Sequence, residues 1–178
     1  TIEEIKCYAK DYLDSKMPTE VYGYLTLPQA HPTMESITFT WSCASATVSI
    51  VNNQPEFTFA ETDTEITFVA TITSGEETAT LEYTMTLKAI TEIDVSVLAS
   101  DTYKINMSFV KVKGIVVGKA RNQSGNLWSL ILKDMNTSFT TTIDFSTQDG
   151  IKDYNVGDVV VALGQFRNNA TNRACVSN

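Results

Sequence analysis

The chain has 178 residues, 43% hydrophobic and 19% charged, a globular composition that excludes intrinsic disorder. No run approaches the roughly 20 apolar residues of a bilayer-spanning helix, so no membrane insertion of this fragment is expected. The net charge of −8 is uneven: residues 1–95 hold 4 Lys/Arg against 15 Asp/Glu, and residues 96–178 hold 9 against 6. That asymmetry predicts two domains with different surfaces, placed at 1–92 and 93–178.

"TIEEIKCYAKDYLDSKMP" reads as a helix, with Thr1 and Glu4 as a capping box and Pro18 as its stop. Ile2, Ile5, Tyr8, Tyr12 and Leu13 recur along one face, which should lie against the first domain. The start at Thr1 rather than Met fits a removed leader or a trimmed chain.

From Val21 to Ile90 the period is two. The 25 threonines and 4 prolines of the chain favour strands, because β-branched side chains suit a pleated surface. "VYGYLTLP", "SITFTWS", "TVSIVN" and "EFTFA" read as short strands, with a loop around Pro28 and Pro32. "TEITFVATITS" puts Ile66, Phe68, Ala70 and Ile72 on one face, and "TATLEYTMTLKAI" does the same with Leu81, Tyr83, Met85 and Leu87. The turn "SGEE" between them has Gly75 where a positive φ is easiest. Six or so strands with one polar face each predict an antiparallel sandwich. Trp41 shares its parity with Ile37 and Phe39 and is expected in the core. Cys43 is expected there too, as an inert thiol.

The stretch "YLTLP…ITFTWS…VSIVN…FTFAETDTEITFVATITSGEETATLEYTMTL", about residues 20–90, resembles an atrophied bacterial immunoglobulin-like domain. One departure is the loop "QAHPTMES", which lacks the glycines usual there. The resemblance implies a spacer or presenting module, without catalytic residues, in a bacterial secreted or surface-anchored protein.

"TEIDVSVLASDTYKIN" joins the halves. "MSFVKVKGIVVGKA", "LWSLILKD", "TSFTTTIDF", a helical or turn segment "STQDGIKDY" and "NVGDVVVALGQFRN" then follow, similar to the OB-fold domains of bacterial extracellular proteins over about residues 104–168. Gly114 would let the first strand coil, and Gly157 with Asp158 would turn into the fourth. Only "RACVSN" remains for a fifth strand, so this small OB-like β-barrel is expected to be cut short or closed irregularly. The fold class predicted is all-β: a helix-capped immunoglobulin-like sandwich, then the OB-like barrel.

The chemistry of enzymes is missing. His31 is the sole histidine, so no Ser-His-Asp, Cys-His or His-metal arrangement can be assembled, and no enzyme activity or cofactor is expected. Cys7, Cys43 and Cys175 have neither metal-ligand spacing nor a disulfide pattern, although a Cys7–Cys43 bridge is conceivable. Glu61, Asp63 and Glu65 offer hard oxygen ligands for calcium, but an acidic turn explains them as well. The four Asn-x-Ser/Thr sequons are what an Asn- and Thr-rich chain produces by chance.

An OB-fold binds through the face of strands 2 and 3 and the loops 1–2 and 4–5. The first loop, "KARNQSGN", supplies Lys119, Arg121 and Asn122. The other, "RNNATN", supplies Arg167, Asn168 and Asn169. On strict alternation Trp128, Leu130, Leu132, Phe139, Ile143 and Phe145 point inward, leaving no aromatic for base stacking. Nucleic acid is therefore disfavoured as a partner, and a protein or glycan ligand is expected. The alternative is an oligonucleotide-binding accessory domain of an extracellular nuclease or similar enzyme.

Overall fold

A computed structural model describes residues 1–99, 108–144, 151, 153–169 and 173–177, with residues 168–169 and 173–177 described by their backbone alone. The chain divides into two compact units, Thr1–Ala89 and Ile90–Asn178.

Unit 1 opens with helix α1 (Ile2–Asp14), where Glu4 takes a bond from the Thr1 hydroxyl at 3.1 Å. Its buried residues are Ala9 and Leu13, with Ile5 and Tyr12 packed beside them. Tyr8, expected on that face, is exposed. The buried stripe runs through the small Ala9 instead, which lets the helix lie close to the sheet.

That sheet has the order β1 (Glu20–Val21), β6 (Glu77–Leu87), β5 (Thr64–Ser74), β2 (Thr38–Cys43). β2, β5 and β6 are antiparallel, whereas β1 runs parallel to β6. Ile66, Phe68, Ala70 and Ile72 of β5 are buried together with Phe39, Trp41, Met85 and Leu87. The opposite parity is threonine-rich and carries cross-strand pairs such as Thr67–Thr84, whose hydroxyls meet at 2.9 Å. β5 and β6 turn at Gly75, whose φ of 62° a side chain would strain. "VYGYLTLP" differs from expectation: only Glu20–Val21 is strand, and buried Leu27 is held by a side chain.

The second layer is smaller than a sandwich needs. It is one hairpin, β3 (Val48–Val51) with β4 (Gln54–Phe57), turning through Asn52 and Asn53 at φ 50° and 60°. Both angles suit a type I′ turn, where Asn is tolerated. Val48, Ile50 and Phe57 join the core, with the rings of Phe57 and Phe68 6.4 Å apart. The hairpin is fastened by amide side chains. Asn53 accepts from the Trp41 N–H (2.7 Å) and donates to the Phe39 carbonyl (2.8 Å). Gln54 accepts from the Leu27 N–H (2.9 Å) and donates to its carbonyl (2.8 Å). Asn53 thus occupies the open edge of β2 as a pairing strand would.

Unit 2 is a six-stranded sheet: β7 (Glu92–Asp94), β8 (Phe109–Arg121), β9 (Leu127–Lys133), β10 (Thr140–Asp144), β11 (Val159–Asn169) and β12 (Arg173–Ser177). A 3-10 turn, Val95–Ala99, follows β7. The sheet curls into a half-barrel. β8–β9, β9–β10, β10–β12, β12–β11 and β11–β8 pair in turn, with β10 and β12 parallel and the others antiparallel. "RACVSN", expected to leave the sheet cut short or irregular, forms β12 and inserts between β10 and β11.

Gly114 lies where β8 crowds its neighbours: an added Cβ would sit 2.6 Å from a Val95 methyl and 2.9 Å from the Lys133 carbonyl. Gly157, at φ 100°, makes the turn into β11. The core gathers Val110, Val112, Val116, Leu130, Leu132, Ile143, Ile151 and Phe166. Most of "STQDGIKDY", and Phe145, lie outside the described residues.

Candidate functional site

In unit 1 the candidate residues serve the fold. Trp41 is 6% exposed, its Nε1 donates to the Pro28 carbonyl at 2.6 Å, and its ring centroid lies 6.5 Å from Phe68 and 6.2 Å from Tyr83. Cys7 and Cys43 are both free thiols, and partial burial pushes the Cys43 thiol up in pKa. His31 stacks edge-on against Tyr12 and accepts the Thr33 N–H at 3.3 Å.

Asp63, a calcium candidate, is otherwise engaged. It accepts the Ala89 N–H at 2.8 Å and pairs with Lys88, and both hold its carboxyl below the usual range. Among the described residues no group of three or more His, Cys, Asp or Glu could hold a metal ion. No helix among them is long and apolar enough to cross a membrane.

In unit 2 the expected loop 119–126 begins as strand. β8 runs to Arg121, and the turn proper is Asn122–Asn126. Asn122 closes it: its Oδ1 accepts the N–H groups of Ser124 and Asn126, both at 3.0 Å. Arg121 donates to the Gly125 carbonyl at 2.7 Å, so part of its guanidinium holds the same turn. Lys119 is directly opposite Leu130, and Arg121 opposite Leu127. Opposed residues of an antiparallel pair share a face. Leu130 is core, so Lys119 takes the inward parity, whereas Arg121, past the register irregularity at the end of β8, is exposed.

Arg167 is exposed on β11, paired with Cys175. The register meets β8 at Gln165↔Phe109, so Arg167 falls past the start of β8, at the opposite end from Lys119 and Arg121. The expected cluster of loop cations is therefore not assembled along β8. The side chains of Asn168 and Asn169 and residues 170–172 lie outside the described residues.

Strict alternation misplaced one residue: Trp128 is 42% exposed. Leu130 and Leu132 are buried and Lys133 is exposed, as alternation requires. But Ala120 pairs with Ser129 and Arg121 with Leu127, so Trp128 is an extra residue, a β-bulge. The bulge lets Leu127 pack against the core while Trp128 is exposed; Ser129, on the other parity from Leu130, is itself buried at 6% exposure. An aromatic is thus exposed on β9, where the sequence reading left none.

Beside it Ser129 donates its hydroxyl to Asp144 on β10, its register partner, and lies opposite Ala120 on β8. The next outward row is Gly118, Ile131 and Thr142, and the next holds Lys133 and Thr140. The candidate site is thus the exposed Trp128 beside a face that carries Gly118, Ala120, Ile131, Thr142 and Asp144.

One polar anchor was missed in the sequence. Asp134, 1% exposed, accepts the Ser96 N–H at 2.9 Å and the Asn136 and Thr137 N–H groups at 2.8 Å each. The Ser96 hydroxyl and these amides hold its carboxyl far below the usual range and tie the 3-10 turn to the β9–β10 turn. Its cue is Asp two and three residues before the amides of a polar turn.

Compared with protein-family models and with curated proteins, the chain matches none.

Proposed function

We infer that this chain is a non-catalytic, two-unit fragment of a bacterial secreted or surface-anchored protein, in which unit 1 is an immunoglobulin-like spacer and unit 2 an OB-like module contacting a protein or glycan. The spacer reading is supported by how unit 1 spends its polar groups: Asn53, Gln54, His31, Asp63 and the Trp41 indole all serve its own backbone or packing. The OB-like reading is supported by strand pairing, with β12 between β10 and β11 and β11 returning to β8.

The observation carrying the contact role is Trp128, turned outward by a bulge on the strand expected to face a ligand. Burying an amphipathic indole on binding gives a large contact area at low entropic cost. The test is titration of the full chain with cell-surface glycan and protein fractions, read by calorimetry and repeated with Trp128→Ala. Binding lost in the variant, with its far-UV spectrum intact, is expected. Binding untouched by the variant would refute the reading.

The same observation favours a second reading, the oligonucleotide-binding accessory domain, because an exposed aromatic is the base-stacking platform. Fluorescence anisotropy with a labelled single strand decides it. Tight binding that survives physiological salt and vanishes in Trp128→Ala would place this reading first.

A further inference from the structure

We propose that the ligand taken by the Trp128 face is a neutral glycan, bound with one pyranose ring against the indole and its hydroxyls on Asp144; this rests on the contact role of Trp128 inferred above. The argument is the charge on the face. Phosphate recognition needs cations, yet of the two nearest in the strand order Lys119 takes the inward parity, and the exposed Arg121 is partly committed to the Gly125 carbonyl. Lys133 is outward but two register rows further along β9. At about 3.4 Å per residue that is more than 10 Å, beyond a Debye length in physiological salt.

The acidic side chain in the row beside Trp128 is Asp144. Asp144 lies on β10 opposite Ser129, the residue next to Trp128. A carboxylate repels a polyanion but accepts sugar hydroxyls well, because it has about four lone-pair sites and charge-assisted bonds are the strong ones. Ser129 uses one of those sites.

The shape agrees with the charge. Gly118 and Ala120 on β8 carry almost no side chain beside Ile131 and Ser129, and the exposed Val117 next to Gly118 bounds this low floor. Adjacent outward rows are about 7 Å apart along a strand, room for a single ring. The C–H groups of a pyranose have a small positive charge that suits the negative face of the indole. Thr140, exposed on β10, then offers a hydroxyl further along the face.

The experiment titrates the full chain with neutral hexasaccharides (cellohexaose, xylohexaose and mannohexaose), with hexagalacturonate as the acidic glycan and with a thymidine oligonucleotide. Each titration is followed by tryptophan fluorescence and calorimetry at about 50 and about 200 mM salt. At least one neutral hexasaccharide should bind saturably with the same affinity at both salt concentrations. Trp128→Ala should weaken it at least about tenfold, Trp128→Phe less, and Asp144→Asn several-fold, with the unfolding temperature close to wild type in the Trp128 variants. Failure of every neutral hexasaccharide, or preference for hexagalacturonate, overturns the proposal. Oligonucleotide binding lost in Trp128→Ala would overturn the glycan while leaving the contact role of Trp128 standing. If no probe binds, the glycan proposal fails, and the contact role is then judged on the protein fractions.

Discussion

Asn53 gives a prediction whose parts can be separated. Asn53→Ala removes two hydrogen bonds to the β2 edge, to the Trp41 N–H and the Phe39 carbonyl. At a net 0.5–1.5 kcal/mol each, those bonds are worth about 2 kcal/mol. Asn53 also sits at φ 60°, and placing alanine in that region costs about 1 kcal/mol more. Asn53→Ala should therefore destabilise unit 1 by about 3 kcal/mol, and Asn53→Gly, which suffers no φ strain, by about 2 kcal/mol. Asn53→Asp keeps an acceptor for Trp41 but sets a carboxylate oxygen against the Phe39 carbonyl, so it should destabilise as well. The assay is equilibrium urea unfolding of the full chain followed by Trp41 fluorescence, in a Trp128→Phe background so that one indole reports. A loss under 1 kcal/mol for Asn53→Ala would show that the hairpin does not depend on this latch. Equal losses for Ala and Gly would show that the backbone angle carries no strain.

Trp41→Ala should destabilise unit 1 by about 3–5 kcal/mol, the cost of emptying a buried aromatic site, and calorimetry showing under 1 kcal/mol would refute its core assignment. Asp134 titrates in the folded state well below its unfolded value, so its stabilisation is complete above about pH 4 and is lost as the pH falls from there toward its folded pKa. Thermal unfolding of wild type should show that acid-side loss, and Asp134→Asn should be less stable at neutral pH with a flatter acid limb. A parallel acid limb in the variant would assign the loss to other groups. Thiol labelling read by peptide mass mapping should find exposed Cys7 modified quickly and Cys43 only after denaturation. Fast native labelling of Cys43 would contradict its placement beside Phe68.

Unit 1 was largely legible because its signals are local. Eleven residues of clean alternation in each of β5 and β6, broken by one glycine turn, fix both strands and the buried row. The parity of Trp41 follows from Ile37 and Phe39 for the same reason. The hairpin latch was not legible, because Asn53 and Gln54 look like ordinary turn residues until β2 and Leu27 come within reach. The parallel pairing of β1 and the exposure of Tyr8 are likewise long-range outcomes.

In unit 2 the parity argument worked for Leu130, Leu132 and Lys133 and failed for Trp128. An inserted residue changes the face of everything before it, and nothing in "NLWSLIL" marks the insertion. Lys119, Arg121 and Asn122 were recognised as residues of a tight turn region, but their roles in holding it depend on bonds to Gly125, Ser124 and Asn126 that a list of charges does not contain.

The outward bulge at Trp128 is the claim on which the contact surface stands, and the Trp41→Phe chain, with Trp128 as its sole indole, tests it directly. Acrylamide quenching of that chain should be efficient in the native state and rise little on denaturation. Quenching that is weak until the protein unfolds would mean that Trp128 is buried, and the contact surface on β9 would be lost with it.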